Sequence, residues 1–385
     1  MIDKAGSSAD LHLIINDASG TLNNLDVNAE SGAHLSYYLP DNVSMSGDLT
    51  VKAVADNQYS CGDINDIHFT SVSFDASLAN SFMHSIDIEA SNPNQAYYDR
   101  FGDIGYYQGA FASAHILGSI NVQNINVSAS AEDRASLILD HLSGPIDQVH
   151  LSAGKASSVG GLLGSADVNF AAHFDSSGYI HNLSIDCESH WTYGDTNNVT
   201  VDISQSTFGG NVFISNEFGN QYALGPPWLY NYDNHISLTY HGATASFVSI
   251  DQNYEGGFNL TIDIGDQDYV NANDILKTSL TIDGLYHVSS DLSLNHLSGE
   301  MYINTSYEID FNSMFNDAKD KIDNLGMNFY FAQLSGNSND GYLFYDSNHN
   351  GITQMIELIN VDASMMTAYS GDMYHQFGAT AFTIV

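Results

Sequence analysis

The sequence predicts a mainly β protein. Its body reads as a repetitive β-solenoid or β-helix, followed by one late helix and a small C-terminal β module. Three observations predict this. Short alternations of apolar and polar residues recur from end to end, as half-buried strands require. The stretches between them are rich in Gly, Asn, Asp and Ser, which form turns. The alternations are also spaced almost evenly. Val51, Phe69 and Ile88 lie 18 and 19 residues apart, and Leu151, Phe170, Ile185 and Val201 lie 19, 15 and 16 apart. Stacked rungs give such a spacing. The alternative is a β-sandwich, whose turns fall every ~8–12 residues.

The strand segments follow in order. They are Leu49–Val51, Ile67–Phe69, Ile86–Ile88, Ile120–Val122, Ile125–Val127, Val149–Leu151, Val168–Phe170 and Leu183–Ile185. They continue as Val199–Ile203, Val212–Ile214, Ile236–Leu238, Leu260–Ile264, Leu280–Ile282 and Leu292–Leu294. Two segments break the alternation. Residues 92–118 carry Tyr97, Tyr98, Phe101, Tyr106, Tyr107 and Phe111; residues 216–234 carry Phe218, Tyr222, Trp228, Tyr230 and Tyr232. Both read as loops that cover an apolar strip or offer an aromatic contact surface.

The helix follows the body. Asp310 is its N-cap, Phe311, Met314, Phe315, Ala318, Ile322 and Leu325 share one face, and Gly326 suits the position after the C-cap. Lys319 and Lys321 lie in its second half, where cations suit the helix dipole. The predicted organisation is a body over 1–309, a helical cap over 310–326 and a module over 327–385.

Composition narrows the function. The 385 residues carry 46 Asp+Glu against 8 Lys+Arg, a net charge of −38. No basic surface is available for phosphates, which excludes nucleic acid as a partner. A bare anionic membrane is disfavoured for the same reason. No apolar run reaches 18 residues, so no membrane span is expected. Few carboxylates can have a cationic side chain, so Ca2+ is the expected counter-ion. The first residues, Met1–Ser8, lack a charged region followed by an apolar stretch, and do not read as a signal peptide. The two cysteines, Cys61 and Cys187, are too few for a disulfide scaffold and lack a CxxC spacing. They read as buried small hydrophobes, with one long-range disulfide as the alternative.

One segment carries a ligand pattern. Asp346, Asn348 and Asn350 fall at positions 1, 3 and 5 of a twelve-residue loop, Gly351 at 6 and Glu357 at 12. The carbonyl of Ile352 at position 7 adds a fifth oxygen. Two charged ligands set an expected affinity in the range of roughly 10⁻⁴–10⁻³ M. Strand-like flanks, Tyr342–Tyr345 and Met355–Ile359, make it a hairpin loop rather than a helix-flanked one. Asp263, Asp266, Asp268, Asn271, Asn273 and Asp274 form a second oxygen-rich cluster, and Asp63, Asn65 and Asp66 a weaker third.

The stretch Gly341–Gly351, then Ile356–Val361, then the small and hydroxyl-rich end Phe377–Val385, resembles the C-terminal module of bacterial type I-secreted surface proteins. S-layer proteins of the Caulobacter and Campylobacter kind carry similar tails. The resemblance covers the last 50–60 residues only. It implies an uncleaved C-terminal export signal and a chain that folds outside the cell in calcium.

No catalytic signature stands out. The Lys and Arg residues are scattered, and no HExxH, GxSxG, P-loop or dinucleotide fingerprint is present. His68, His84, His150 and His181 read as outward-facing strand residues. A carboxylate pair for glycoside hydrolysis cannot be singled out among 46 acids. Of the six N-x-S/T sequons, at Asn42, Asn126, Asn182, Asn198, Asn259 and Asn304, chance explains several in a chain this rich in Asn, Ser and Thr; they do not by themselves indicate a glycoprotein and leave one open. The expectation is an extracellular, non-enzymatic structural protein whose partner is itself, in a surface layer or filament. A secreted adhesin or carbohydrate-binding protein on cell-surface polysaccharide is the second reading; a polysaccharide-active β-helix enzyme is the third.

Overall fold

The computed structural model describes residues 2–4, 10–14, 20–30, 34–54, 70–91, 109–130, 132–154, 166–174, 178–189, 198–203, 207–218, 234–239, 247–251, 258–263, 280–283, 290–294, 301–336, 340–346, 351–352, 354–359, 361–363, 366–368 and 381–384. The chain is mainly β. The strands are β1 Ile2–Lys4, β2 Asp10–Ile14, β3 Gly20–Leu22, β4 Leu25–Glu30, β5 His34–Val54, β6 Thr70–Ser91, β7 Gly109–Ser130, β8 Glu132–Ser143, β9 Pro145–Ala153, β10 Asp167–Phe174, β11 Tyr179–Ser189 and β12 Asn198–Asp202. There follow β13 Asn211–Phe218, β14 Asn234–Thr239, β15 Phe247–Asp251, β16 Phe258–Asp263, β17 Leu280–Asp283, β18 Ser290–Leu294 and β19 Met301–Glu308. After the helix α1 Phe311–Leu325 come β20 Phe329–Leu334, β21 Gly341–Tyr345, β22 Gln354–Leu358, β23 Met366–Ala368 and β24 Ala381–Ile384. The chain forms two compact units, 1–201 with 215–233, and 202–214 with 234–385.

The first unit is built from parallel strands in matched register. Val27 pairs with Val51, Val51 with Ile88, Ile88 with Val127, Val127 with Leu151 and Leu151 with Ile185. All six side chains are buried. Two residues on, Ala53, Ala90, Ala129, Ala153 and Cys187 make a second buried column. A second series runs through the other halves of the long strands. There Phe74, Ala114, Leu137 and Phe170 stack, as do Val72, Ala112, Ala135 and Val168. In the first series a column of bulky residues lies beside a column of small ones, and in the second alanines sit between larger residues, so large and small side chains share the interior. Each buried Val, Leu or Ile contributes roughly 1.5–3 kcal/mol over exposure.

The spacing in the sequence now has a physical meaning. Val51 pairs directly with Ile88, and Leu151 with Ile185. Phe170, between the latter two in sequence, belongs to the other series, opposite Leu137. The step from Leu151 to Phe170 is therefore one from the first series to the other, whereas residues paired within the first series stand 24, 37, 39, 24 and 34 positions apart.

Each changeover needs a special backbone. The first half of β7 pairs with β8 and its second half with β9. Gly118, with φ +110, stands where the pairing changes; Gly144, with φ +113, stands between β8 and β9. A Cβ on Gly118 would strike the Leu78 carbonyl, and one on Gly144 the Ile120 carbonyl. In β6 the left-handed position falls to Asn80, with φ +48. At the corner of β5 the buried Ser81 hydroxyl accepts the Met45 N–H at 2.9 Å, where the ladder register shifts.

The segment 109–118, expected as part of a projecting loop, is strand. Ala110, Ala112, Ala114 and Ile116 alternate inward. Small alanines carry the buried positions, so the alternation is weak on any hydropathy reading. Residues 92–108 and 219–233, with most of the predicted aromatic surface, lie outside the described residues, as does Ile67–Phe69.

In the second unit, β14, β16 and β18 run parallel, with Ile236, Leu260 and Leu292 in one column. The C-terminal strand β24 closes this series antiparallel to β18, and β23 pairs antiparallel with β24. A second series pairs β15, β17 and β22 in parallel, then β21 and β20 antiparallel, then β19 parallel to β20. Residues 327–385, expected as a separate module, are woven into sheets begun before the helix.

The helix begins where the sequence places it. The Asp310 carboxylate accepts the Ser313 N–H at 2.8 Å, and Gly326 ends the helix with φ +72. Met314, Phe315, Ala318 and Ile322 pack on Tyr330, Ala332, Tyr342, Phe344, Ile352 and Met355. Leu325, expected on this face, is exposed; it is the last helical residue, one turn past Ile322, where the helix's share of the core ends. The strands β19 and β20, parallel and joined through α1, make a β-α-β unit.

Candidate metal loop and the acidic outer faces

The predicted loop begins at a buried carboxylate. Asp346 is 5% exposed, and its backbone N–H donates to the Asn328 carbonyl at 2.9 Å. Its Oδ2 accepts the Gly351 N–H at 3.3 Å. Gly351 has φ +119, and a Cβ there would lie 3.3 Å from Asp323 Oδ1. Asp323, on α1, therefore stands over the turn. The Ile352 side chain anchors the loop in the helix–sheet core. Asn348 and Asn350 lie outside the described residues.

The structure does not bring Glu357 to Asp346. β21 and β22 form the expected antiparallel hairpin, and Tyr342 pairs with Glu357 across it. Four residues separate Tyr342 from Asp346, roughly 13 Å at ~3.3 Å per residue. The Glu357 carboxylate accepts the Tyr342 hydroxyl at 2.8 Å instead. The twelve-residue spacing suits a loop whose ends converge; an extended strand after the turn carries its last position away. Asp323 was invisible to that pattern because it comes from an element far upstream in sequence.

Asp263 ends β16, with its backbone opposite Thr239. Asp266, Asp268, Asn271, Asn273 and Asp274 lie outside the described residues, as do Asp63, Asn65 and Asp66. Among the described residues no three acidic, thiol or imidazole side chains are gathered closely enough to enclose an ion.

The outer columns show how the acids are accommodated locally. Neutral amides supply many of the donors. Asn126 Nδ2 donates to Asp87 at 2.6 Å, Asn198 Nδ2 to Asp167 at 2.9 Å and Asn28 Nδ2 to Asp26 at 2.6 Å. Ser85 Oγ donates to Asp87 at 2.8 Å. In the second unit Asn304 Nδ2 donates to Glu308 at 2.7 Å and to the Tyr330 hydroxyl at 2.9 Å, while that hydroxyl donates to Asp317 at 2.6 Å. Burial, reinforced by this bond to Asp317, pushes the Tyr330 phenol above its ordinary range. Three sequon asparagines, Asn126, Asn198 and Asn304, thus use the amide nitrogen that a glycan would need.

Cations take carboxylates where present. Lys52 lies 2.9 Å from Glu89, and this bond holds its ammonium above the usual lysine range. Arg134 lies 3.1 Å from Asp167. Lys321 reaches Asp317 and Asp320 at 3.7 and 3.6 Å, with its ammonium 5.2 Å from the centre of the Tyr302 ring. Imidazoles fill other gaps, with His84 beside Asp48, His115 beside Asp75 and His150 beside Asp186. His84 and His150 face outward, as the alternation predicts; His68 lies outside the described residues.

Cys187 is a free, fully buried thiol that donates to the Ala166 carbonyl at 3.3 Å. Burial raises its pKa, and the charges of Asp167 and Asp186 add to the shift. Cys61 lies outside the described residues. No described helix is long and apolar enough to cross a membrane. Comparison with protein-family models, curated proteins and solved structures finds no match to this chain.

Proposed function

We propose that the chain is an extracellular β-solenoid scaffold, stabilised by calcium, whose partner is a further copy of itself in a surface layer or filament. The observation that carries this reading is the matched register of the first unit. Parallel strands with like residues in column form a stiff body whose repeat runs along the stack. Its outer columns are acidic and hydroxyl-rich, suited to cation bridging rather than to nucleic acid. The C-terminal resemblance to type I-secreted surface proteins supports export by a route read at that end. The Asp346–Ile352 turn is the proposed calcium site, with Asp323 rather than Glu357 placed to add a second carboxylate.

Negative-stain microscopy of the purified chain, titrated with calcium and then chelated, tests the proposal. Ordered sheets or fibres should form with calcium and dissolve without it. Monodisperse particles at every calcium level would sink the assembly reading.

A further inference from the structure

We propose that an uncharged row on the outer side of the first unit pairs with the same row of a second copy, turned end for end. The row is Phe82 in β6, Asn121 in β7, Pro145 at the start of β9 and Tyr179 at the start of β11. The inference rests on the self-assembly reading and names one contact through which assembly runs.

The first observation is the register. Met83, Val122, Ile146 and Ile180 pair in turn, and all four are buried. The residues one position earlier form the neighbouring row. Phe82 pairs with Asn121, and Pro145 with Tyr179. Because Val122 pairs with Ile146, Asn121 and Pro145 stand side by side. Successive strand residues point to opposite faces, so this row faces out while the next is locked in the core.

The second observation is exposure. Phe82 is 67% exposed and Tyr179 39%. Among the described residues these are the two exposed large apolar side chains of the first unit, and both fall on this row. Asn121 between them is exposed and Pro145 half-buried. Scattered exposed apolar residues need no explanation, but ones gathered in one place mark a contact surface.

The third is charge. At a net charge of −38, two copies repel one another over most of their surface. Elsewhere the outer side of the first unit carries Asp75, Glu89, Asp167 and Asp186. The row itself carries no charge, so contact here sets no carboxylate directly against another. Asp48, 3.1 Å from His84, and Asp147 flank it, and calcium between such flanks should strengthen the contact.

The fourth is symmetry. Neighbouring strands stand ~4.8 Å apart, which puts Phe82 and Tyr179 roughly 14 Å apart along the row. A two-fold axis through the middle of the row sets Phe82 against Tyr179 of the second copy at both ends, with Asn121 against Pro145 between them. Such a contact is isologous, the commonest kind between identical chains. One row falls below the roughly 1,200 Å² of a stable dimer, so the pair is weak alone and suits one contact among several in a lattice.

Disulfide trapping tests the pair on the full chain with calcium, in a Cys61→Ser background. Two Cβ atoms must come within about 3.5–4.5 Å to be linked. A mixture of Phe82→Cys and Tyr179→Cys chains should cross-link as a mixed dimer. Phe82→Cys alone should not, because its two thiols stand roughly 14 Å apart in the pair. Phe82→Ser should keep its urea midpoint, since the side chain is exposed, and lose the pair in sedimentation at high concentration. No cross-link in the mixture overturns the proposal, as does equal cross-linking of Phe82→Cys alone. Phe82→Ser chains that associate like the unchanged protein also overturn it; sheets or fibres formed by them would leave self-assembly standing and remove only this row. A mixed cross-link without sheets or fibres keeps the pair and removes the lattice. A chain that stays monomeric but is retained by a neutral polysaccharide through Phe82 would assign the row to a glycan and overturn the pairing.

Discussion

Gly118→Ala tests the register of the first unit most directly. Two costs add at this position. An L side chain at φ +110 is strained by about 1–2 kcal/mol. The new methyl also strikes the backbone carbonyl of Leu78, which cannot rotate away as a side chain could. Forcing extra volume into a packed region costs about 1–3 kcal/mol more. Together they predict a loss of about 2–5 kcal/mol. Gly326→Ala is the control. Its φ is +72, but no atom lies within 4 Å of the added methyl, so only the conformational term of about 1–2 kcal/mol applies. Urea unfolding followed by circular dichroism measures both. Equal losses in the two variants, or a silent Gly118→Ala, would refute the stacking of β6 on β7 at this changeover.

Cys187 should resist a thiol reagent in the native protein and react fully in denaturant; a Cys61→Ser background makes it the only thiol, and fast native labelling would contradict its burial. Stability should also fall in alkali. Cys187 and Tyr330 both hold their protons more tightly when folded, so the unfolded chain loses them first. The native state then binds more protons, and stability declines as pH rises above about 8.5 for the thiol and about 10 for the phenol. Tyr330→Phe should flatten the upper part of that decline in urea midpoints measured against pH; an unchanged profile would exclude the phenol.

The strands that alternate large and polar residues were legible in the sequence, as were α1 and both its caps. Asp310 and Gly326 act through contacts a few residues away, so local sequence suffices to place them. The first half of β7 was not legible, because alanines fill its inward positions opposite bulkier neighbours such as Phe74 and Leu137. An alanine is a good core residue only in view of the column it joins, and that column is non-local. The same reason hid Asp323 from the loop pattern. It also detached Glu357 from it: the spacing was correct, but the hairpin register, set by Tyr342 and Phe344 packing under the helix, decides where position 12 lands.

The net charge of −38 poses two problems that the structure separates. One is local: each partly buried carboxylate needs donors. Asn126, Asn198, Asn304 and Ser85 meet that need, and they do so without adding charge. An amide satisfies a lone pair but leaves the negative charge in place, so the long-range repulsion remains. That second problem falls to mobile ions or to bound cations, and the two differ in what replaces them. Screening depends on ionic strength alone, with a Debye length of about 10 Å at 0.1 M. If calcium acts only by screening, sodium chloride at matched ionic strength must support the same assembly and the same unfolding midpoint. If it acts at oxygen-ligand sites such as the Asp346 turn, sodium cannot substitute, and Asp346→Asn must shift the calcium requirement upward while leaving the salt response unchanged. The amide donors make this comparison clean, because they hold the folded outer columns together in either case.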